Sequence, residues 1–376
     1  MQAGNLKKIL FINEGQLGDL LVLTPALKAI KQQLPQSHVT VALTKRSYYV
    51  PPESKDRFVK ISKGEGTAEA LKNNPYVDEM IAINRKYIRG LRGLKRIKAE
   101  FYIVKFLRQK KYNCVINAFP EDRFMIWSFL AGIKTRVGQK NHKLSYLLTH
   151  KINNSPNEVN HLNYILLLLK AIGISSTDKK TFFYIPEESN QWIDGKLNEL
   201  NISSEKKIIC IHPGASKPDR VWAVKYFAEL TKLLMSLNDV EPIICSSDFD
   251  EEIVNDILQK LDVKPNVLKI TDNISNLAAL FKHSELVVCN DSGPRHLAAA
   301  VGVRSISVFK RHNDKQWKIY PEELAKTLEK DSACSKCPED KCLIPIPDGE
   351  KYGAECMWSI KPETVFNEIK LMLDLK

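Results

Sequence analysis

Three polar loops in this chain hold residue types that handle protons and anions. The first is Glu14-Gly15-Gln16-Leu17-Gly18-Asp19, continuing through Leu20-Leu21 to Thr24-Pro25-Ala26-Leu27. Its two glycines let backbone approach a ligand closely. Asp19 could take a proton as a general base, or it could simply cap a helix and complement its dipole. The second loop is His212-Pro213-Gly214-Ala215-Ser216-Lys217-Pro218-Asp219-Arg220-Val221-Trp222. A hydroxyl, two cations and the N–H groups of a nascent helix suit phosphate, although an ordinary strand–helix connection with exposed cations would read the same. The third is Asn290-Asp291-Ser292-Gly293-Pro294-Arg295-His296. Pro294 fits a first helical turn, Asp291 or Ser292 could be caps, and His296 could be a satisfied core histidine. The first loop lacks the GxGxxG spacing of dinucleotide-binding proteins, so a nicotinamide dehydrogenase is poorly supported.

Each loop needs a strand before it and a helix after it, and the chain supplies both. Apolar runs at 6–13, 38–43 and 114–116 read as strands, with helices over about 19–34 and 123–131. The pattern restarts after a softer region near 173–190. Strands are expected at 208–211, 242–245, 286–289 and 305–309. Helices are expected at about 224–237, from Asp250, at 294–301 and at 362–374. Strand–helix alternation predicts an α/β fold with parallel sheets covered on both faces. A length of 376 residues exceeds one ordinary core. Two doubly wound domains are therefore expected, over 1–180 and 181–360, closed by a C-terminal helix at 361–376. Ligands in such sheets sit at the carboxyl ends of strands. No close internal repeat is visible.

Charge divides along the same line. The net charge of +12 splits into +18 for residues 1–180 and −6 for 181–376. A basic half facing an anionic partner is the reading. Residues 85–111 alone carry eleven Lys/Arg, among them Arg89, Arg92 and Arg96, against only Glu100. Their apolar neighbours repeat at helical spacing, which suits an anionic membrane surface or another anionic ligand, or simply a solvated basic face packed on the domain. A nucleic-acid-binding protein would explain the charge but none of the three loops. No run approaches the roughly 20 apolar residues of a membrane span, and the start lacks a signal-peptide pattern. A cytoplasmic location is expected, with peripheral contact to an anionic membrane as a further reading. Of eight cysteines, Cys114, Cys210, Cys245 and Cys289 fall in strands and read as core residues. Cys334, Cys337, Cys342 and Cys356 cluster, leaving open a structural zinc, reduced thiols or disulfides.

Taken together, the three loops resemble glycosyltransferase family nine, the lipopolysaccharide heptosyltransferases. The matching segments are Gly-Asp-Leu-Leu-Val-Leu-Thr-Pro-Ala-Leu-Lys at 18–28, His-Pro-Gly-Ala-Ser at 212–216 with Trp222, and Asp-Ser-Gly-Pro-Arg-His-Leu-Ala-Ala-Ala at 291–300. The resemblance implies a GT-B fold, two Rossmann-like domains facing across a cleft, with acceptor on the first and nucleotide sugar on the second. It implies an inverting transferase moving a sugar, heptose from ADP-heptose, onto the anionic glycolipid of the lipopolysaccharide inner core. Another nucleotide sugar for a surface polysaccharide, or a non-catalytic glycolipid-binding member, are the alternatives.

Carried over by position, Asp19 matches the catalytic aspartate. Ser216, Lys217, Arg220, Asp250, Asp291, Ser292, Gly293 and His296 fall to the donor, with Glu251 the alternative to Asp250. Gly18, Arg89, Arg92 and Arg123 fall to the acceptor. No cofactor is required for catalysis, because protein cations can stabilise the leaving diphosphate; Asp248-Phe249-Asp250 has metal-motif spacing but follows another strand. Pro294-Arg295 departs from some characterised heptosyltransferases.

Overall fold

In a computed structural model the chain is described at residues 6–44, 58–64, 66–119, 121–141, 143–155, 158–271, 273–310, 315–329 and 350–375. It divides into two compact units, Met1–Thr181 and Phe182–Lys376.

The first unit opens with β1 (Lys8–Asn13), α1 (Leu17–Gln33), β2 (His38–Leu43), β3 (Val59–Ile61), α2 (Glu69–Lys72) and β4 (Glu79–Ile83). It continues with α3 (Arg85–Gly90), α4 (Gly93–Lys110), β5 (Cys114–Asn117) and α5 (Asp122–Leu130). It ends with β6 (Thr135–Gln139), β7 (His150–Ile152) and α6 (His161–Lys170). The sheet order is β3-β4-β2-β1-β5-β6-β7. All pairings are parallel except the edge pair β3–β4. β1 is central and covered on both faces, which is why Ile9-Leu10-Phe11-Ile12 can be a continuous apolar run at 0–1% exposure. One face packs Leu10, Ile12 and Val115 against Ile103, Leu107, Phe124 and Trp127 of the covering helices. The basic segment that reads as one amphipathic stretch is two helices. They break at Leu91-Arg92, before Gly93 in the left-handed region at φ 54°.

The second unit runs α7 (Glu187–Glu199), β8 (Lys207–His212), α8 (Val224–Met235), β9 (Val240–Ser246), α9 (Glu251–Leu258) and β10 (Asn266–Lys269). Then follow α10 (Ile274–Lys282), β11 (Leu286–Asn290), α11 (Gly293–Ala300) and β12 (Arg304–Val308). It closes with β13 (Ala325–Leu328), α12 (Glu355–Trp358) and α13 (Pro362–Leu373). Its all-parallel sheet has the order β10-β9-β8-β11-β12-β13. Here α13 is no appendage: Val365, Ile369 and Leu373 enter the same core as Ile209, Ile211, Trp222, Phe227 and Leu234.

Both sheets follow one rule. From the first strand of each unit the chain winds outward on one side, then crosses back and winds outward on the other. Apart from the added edge strand β3, both have the doubly wound order in which the switch point lies beside the first strand. β1 and β8 are those strands, and the first two polar loops leave their carboxyl ends. Among the described residues no helix is long and apolar enough to cross a membrane.

Candidate active site

In the first unit the loop after β1 is tied from within. Asn13 Oδ1 accepts the Gly15 N–H at 3.0 Å, and Thr67 Oγ1 donates to the Gly15 carbonyl at 2.6 Å. Gly15 stands at φ 93°, where a side chain would be strained, and a Cβ there would press on Leu43 Cβ at 3.3 Å. α1 starts immediately after. Asp19 is its third residue, only 6% exposed, and its Oδ2 accepts the Gln16 N–H at 3.2 Å. The capping geometry is thus real, and it fixes the carboxylate at the positive end of α1, at the switch point. Gly18 sits half-buried beside it.

A residue that sequence reasoning missed comes from α6. The buried Nδ1 of His161 lies near this loop, where burial pushes the ring's pKa down to about 4 against the opposing pull of the Glu14 carboxylate. Nothing in its local sequence marks it, because the contact spans the whole unit.

The arginines of the basic segment and Arg123 gather around two carboxylates. Arg85 Nε lies 2.5 Å and Arg89 Nη2 2.9 Å from Glu121. Glu100 takes Arg96 at 3.4 Å and the Trp127 indole N–H at 2.7 Å, and also pairs with Arg123. Burial, then repulsion from Arg96 and Arg89, lowers the pKa of Arg123. Arg89 and Arg123 therefore share one charge cluster, while Arg92 stands exposed at the N-cap of α4.

In the second unit, three loops meet because β9, β8 and β11 are neighbours with parallel direction. Asn290 joins two of them. It is fully buried, its Oδ1 accepts the Trp222 N–H at 2.9 Å, and its Nδ2 donates to the Pro213 carbonyl at 2.7 Å. Trp222, itself buried, anchors the far end by donating Nε1–H to the Ile360 carbonyl at 3.0 Å.

Between these anchors the turn Pro218–Arg220 presents its charges in order. Asp219 is held by Lys310, from the end of β12, at 2.7 Å. Arg220 Nη1 lies 3.6 Å from Asp291 Oδ2. The other oxygen of Asp291 is 3.9 Å from Arg295, whose 1%-exposed guanidinium stacks 4.3 Å over the Phe309 ring. A buried guanidinium without a counter-charge is costly, so Arg295 and Asp291 depend on each other. Lys310 lies outside the local motif, and although Arg295 is in it, four residues after Asp291, its burial is not visible there.

The third contributor is the loop after β9. An ideal Cβ on Gly214 would fall 1.9 Å from Asp250 Oδ1, so only glycine lets Asp250 lie against the His212–Ser216 loop. Ser247 Oγ donates to Asp250 Oδ2 at 2.7 Å, and Asp250 is 8% exposed. Glu251, by contrast, is turned outward to Lys269 at 3.1 Å. His212 is held neutral by burial, which outweighs the attraction of Asp250. Ser216 is exposed, and Lys217, Ser292 and Gly293 are half-buried. His296 is buried with its ring edge-on to Trp317 at 5.9 Å.

Of the expected zinc ligands, Cys334, Cys337 and Cys342 lie outside the described residues; Cys356 is described, and is buried in the second unit's core. Among the described residues no group of three or more His, Cys, Asp or Glu is arranged to hold a metal.

Two doubly wound units, each with a polar loop at the switch point of its sheet, place this chain in the α/β class in which ligands bind at the carboxyl ends of strands. The sequence model of glycosyltransferase family 9 (heptosyltransferase) matches residues 101–345, and the chain belongs to that family. It is 23% identical over 301 residues to lipopolysaccharide heptosyltransferase 3 of Escherichia coli, covering 78% of this chain and 80% of that one. Its fold is shared by the glycosyltransferase family 9 structure from Veillonella parvula DSM 2008 (TM-score 0.75, 19% identity, 100% and 99% coverage). It is also shared by the structure of E. coli ADP-heptose lps heptosyltransferase II (TM-score 0.70, 18% identity, 97% and 98% coverage).

Proposed function

We propose that this glycosyltransferase moves heptose from ADP-heptose onto an acceptor hydroxyl of the lipopolysaccharide inner core, with inversion at the anomeric carbon. The observation that carries the reading is the convergence of Ser216, Lys217, Arg220, Asp250 and Asp291 on one end of one sheet. That set has cations and a hydroxyl for a diphosphate and a carboxylate for a ribose. The names of the relatives, a lipopolysaccharide heptosyltransferase and an ADP-heptose enzyme, supply the sugar and the acceptor.

In this reading the first unit takes the acceptor and the second the donor. The hydroxyl oxygen attacks the anomeric carbon, its proton passes to the Asp19 carboxylate, and the bond to the β-phosphate oxygen breaks. Charge developing on the leaving ADP is stabilised by Arg220, Ser216 and neighbouring N–H groups. Asp291 holds Arg220 in place, Ser292, Gly293 and His296 line the sugar side, and Gly18 with Arg89, Arg92 and Arg123 receives the anionic acceptor. The enzyme works at the inner face of the inner membrane. For Cys334, Cys337, Cys342 and Cys356 three readings stand, a structural zinc outside the chemistry, reduced thiols or disulfides; about one zinc per chain in elemental analysis would select the first.

A second donor class is raised by one feature, the buried Arg295 beside Asp291, a residue proposed for the donor. A thermal-shift panel separates the two. ADP-heptose should raise the melting temperature of the parent, UDP- and GDP-hexoses should not, and Arg220→Ala should lose most of the shift. A response to a hexose nucleotide instead would overturn the heptose assignment.

A further inference from the structure

Helix α4 turns an apolar stripe to solvent. Leu94, Ile97 and Phe101 are 76%, 63% and 68% exposed. Spacings of three and four residues put them on one side of the helix. The opposite side is filled by the buried Ala99, Ile103 and Leu107, so the stripe is not a misplaced core face. Lys95, Lys98, Lys105 and Arg108 are exposed around it. The one carboxylate of α4, Glu100, is drawn inward by Arg96, Arg123 and Trp127. At the far end Arg108 donates to the Leu130 carbonyl at 2.7 Å, which brings Phe129 and Leu130, both 49% exposed, within reach of the same side.

We infer that this face of α4 is a membrane-docking surface that lies on an anionic bilayer, with Leu94, Ile97 and Phe101 entering the interface and Lys98, Lys105 and Arg108 meeting lipid phosphates. The proposal rests on the reading that the enzyme acts at an anionic membrane, and it names the surface that makes the contact. Charge decides the occupant. An apolar stripe ringed by cations, with no outward carboxylate on α4 itself, fits a negatively charged lipid surface, where apolar burial and attraction add. It assigns Arg89 and Arg96 a different role, since Glu121 and Glu100 already hold them.

The test is flotation of the full chain with vesicles of phosphatidylglycerol and phosphatidylethanolamine, against vesicles of phosphatidylcholine alone. The parent should float with the anionic vesicles only, and less at high salt. The triple variant Leu94→Gln/Ile97→Gln/Phe101→Gln should bind on the order of tenfold more weakly or worse, with melting temperature and ADP binding unchanged because these side chains are exposed. Lys98→Gln/Lys105→Gln should flatten the salt dependence. A Phe101→Trp probe should shift its emission to the blue on anionic vesicles. If the parent floats and the triple variant floats equally well, the docking face is wrong while the membrane reading stands. If the parent does not bind anionic vesicles, both fall. Salt-resistant self-association of the parent that the triple variant abolishes, with no vesicle binding, would assign the face to a second copy instead.

Discussion

At the scale of single residues, Asp19 caps α1 and is proposed to be the general base, two jobs that one substitution can separate. Asparagine keeps an oxygen for the Gln16 N–H but cannot take a proton. Asp19→Asn should therefore leave melting temperature and ADP binding near those of the parent and lower turnover by about 10²–10⁴-fold. Undiminished transfer to the natural acceptor would remove Asp19 from the chemistry. His161 makes a pH prediction. Its folded pKa, about 4, lies below the ordinary 6.5, so the unfolded chain binds the proton more readily. The stability this ring contributes is complete above pH 6.5 and is lost as pH falls from 6.5 towards 4, by roughly 3 kcal/mol at most. Denaturant midpoints measured across that window should fall more steeply for the parent than for His161→Gln; parallel curves would place the acid sensitivity elsewhere.

At the scale of elements, the site depends on stitches between loops more than on the loops themselves. Asn290 is the clearest. Truncating it strands the buried Trp222 N–H and the Pro213 carbonyl, and each orphaned group costs about 1–3 kcal/mol. Asn290→Ala should thus lower stability and weaken ADP binding together, in chemical denaturation and nucleotide titration; a stable variant with parental affinity would show that the turn at 218–220 holds itself. Burial alone did not decide legibility: β4 and β6 are largely buried inside the first sheet, yet the expected strands omit them, β6 being broken up by Thr135, Arg136 and Gln139. Central strands such as β1, β8 and β11 are apolar runs and were readable. Short, part-exposed strands at or near the sheet edges, such as β3, β7, β10 and β13, carry little periodic signal, because few of their side chains meet the core. The helix α7 begins inside a stretch that reads as a soft connection, its first turn Glu187-Glu188 being polar.

At the scale of the whole molecule, the first half carries +18 and the second −6. Exposed charge attracts a polyanionic acceptor through solvent, and salt screens it over about 10 Å at 0.1 M. If the basic half takes the acceptor as proposed, raising ionic strength should raise KM for the acceptor several-fold with kcat little changed, while the donor, proposed to sit on the part-buried Arg220 and Lys217, should respond less. Steady-state kinetics across a salt series checks this; equal sensitivity of both substrates would detach the basic half from acceptor capture.

The sequence by itself determined the α/β class, the two-unit length scale, the central strands and the three polar loops, because each rests on local pattern: apolar runs, turn residues and helix starts. It could not show that both units wind in the same order, since no close repeat in residues accompanies the repeat in topology. Nor could it show that Asp250 rather than Glu251 lies against Gly214, that Lys310 holds Asp219, or that Arg295 is buried beside Asp291. The first two contacts join the ends of strands whose placement is set by crossovers, and a side chain's partner there depends on sheet order, which no local spacing encodes; Asp291 and Arg295 are four residues apart, and there only packing decided that the guanidinium is buried. The same holds for α4: its amphipathic pattern was legible, but only packing decided that Ala99, Ile103 and Leu107 face inward and left Leu94, Ile97 and Phe101 in solvent.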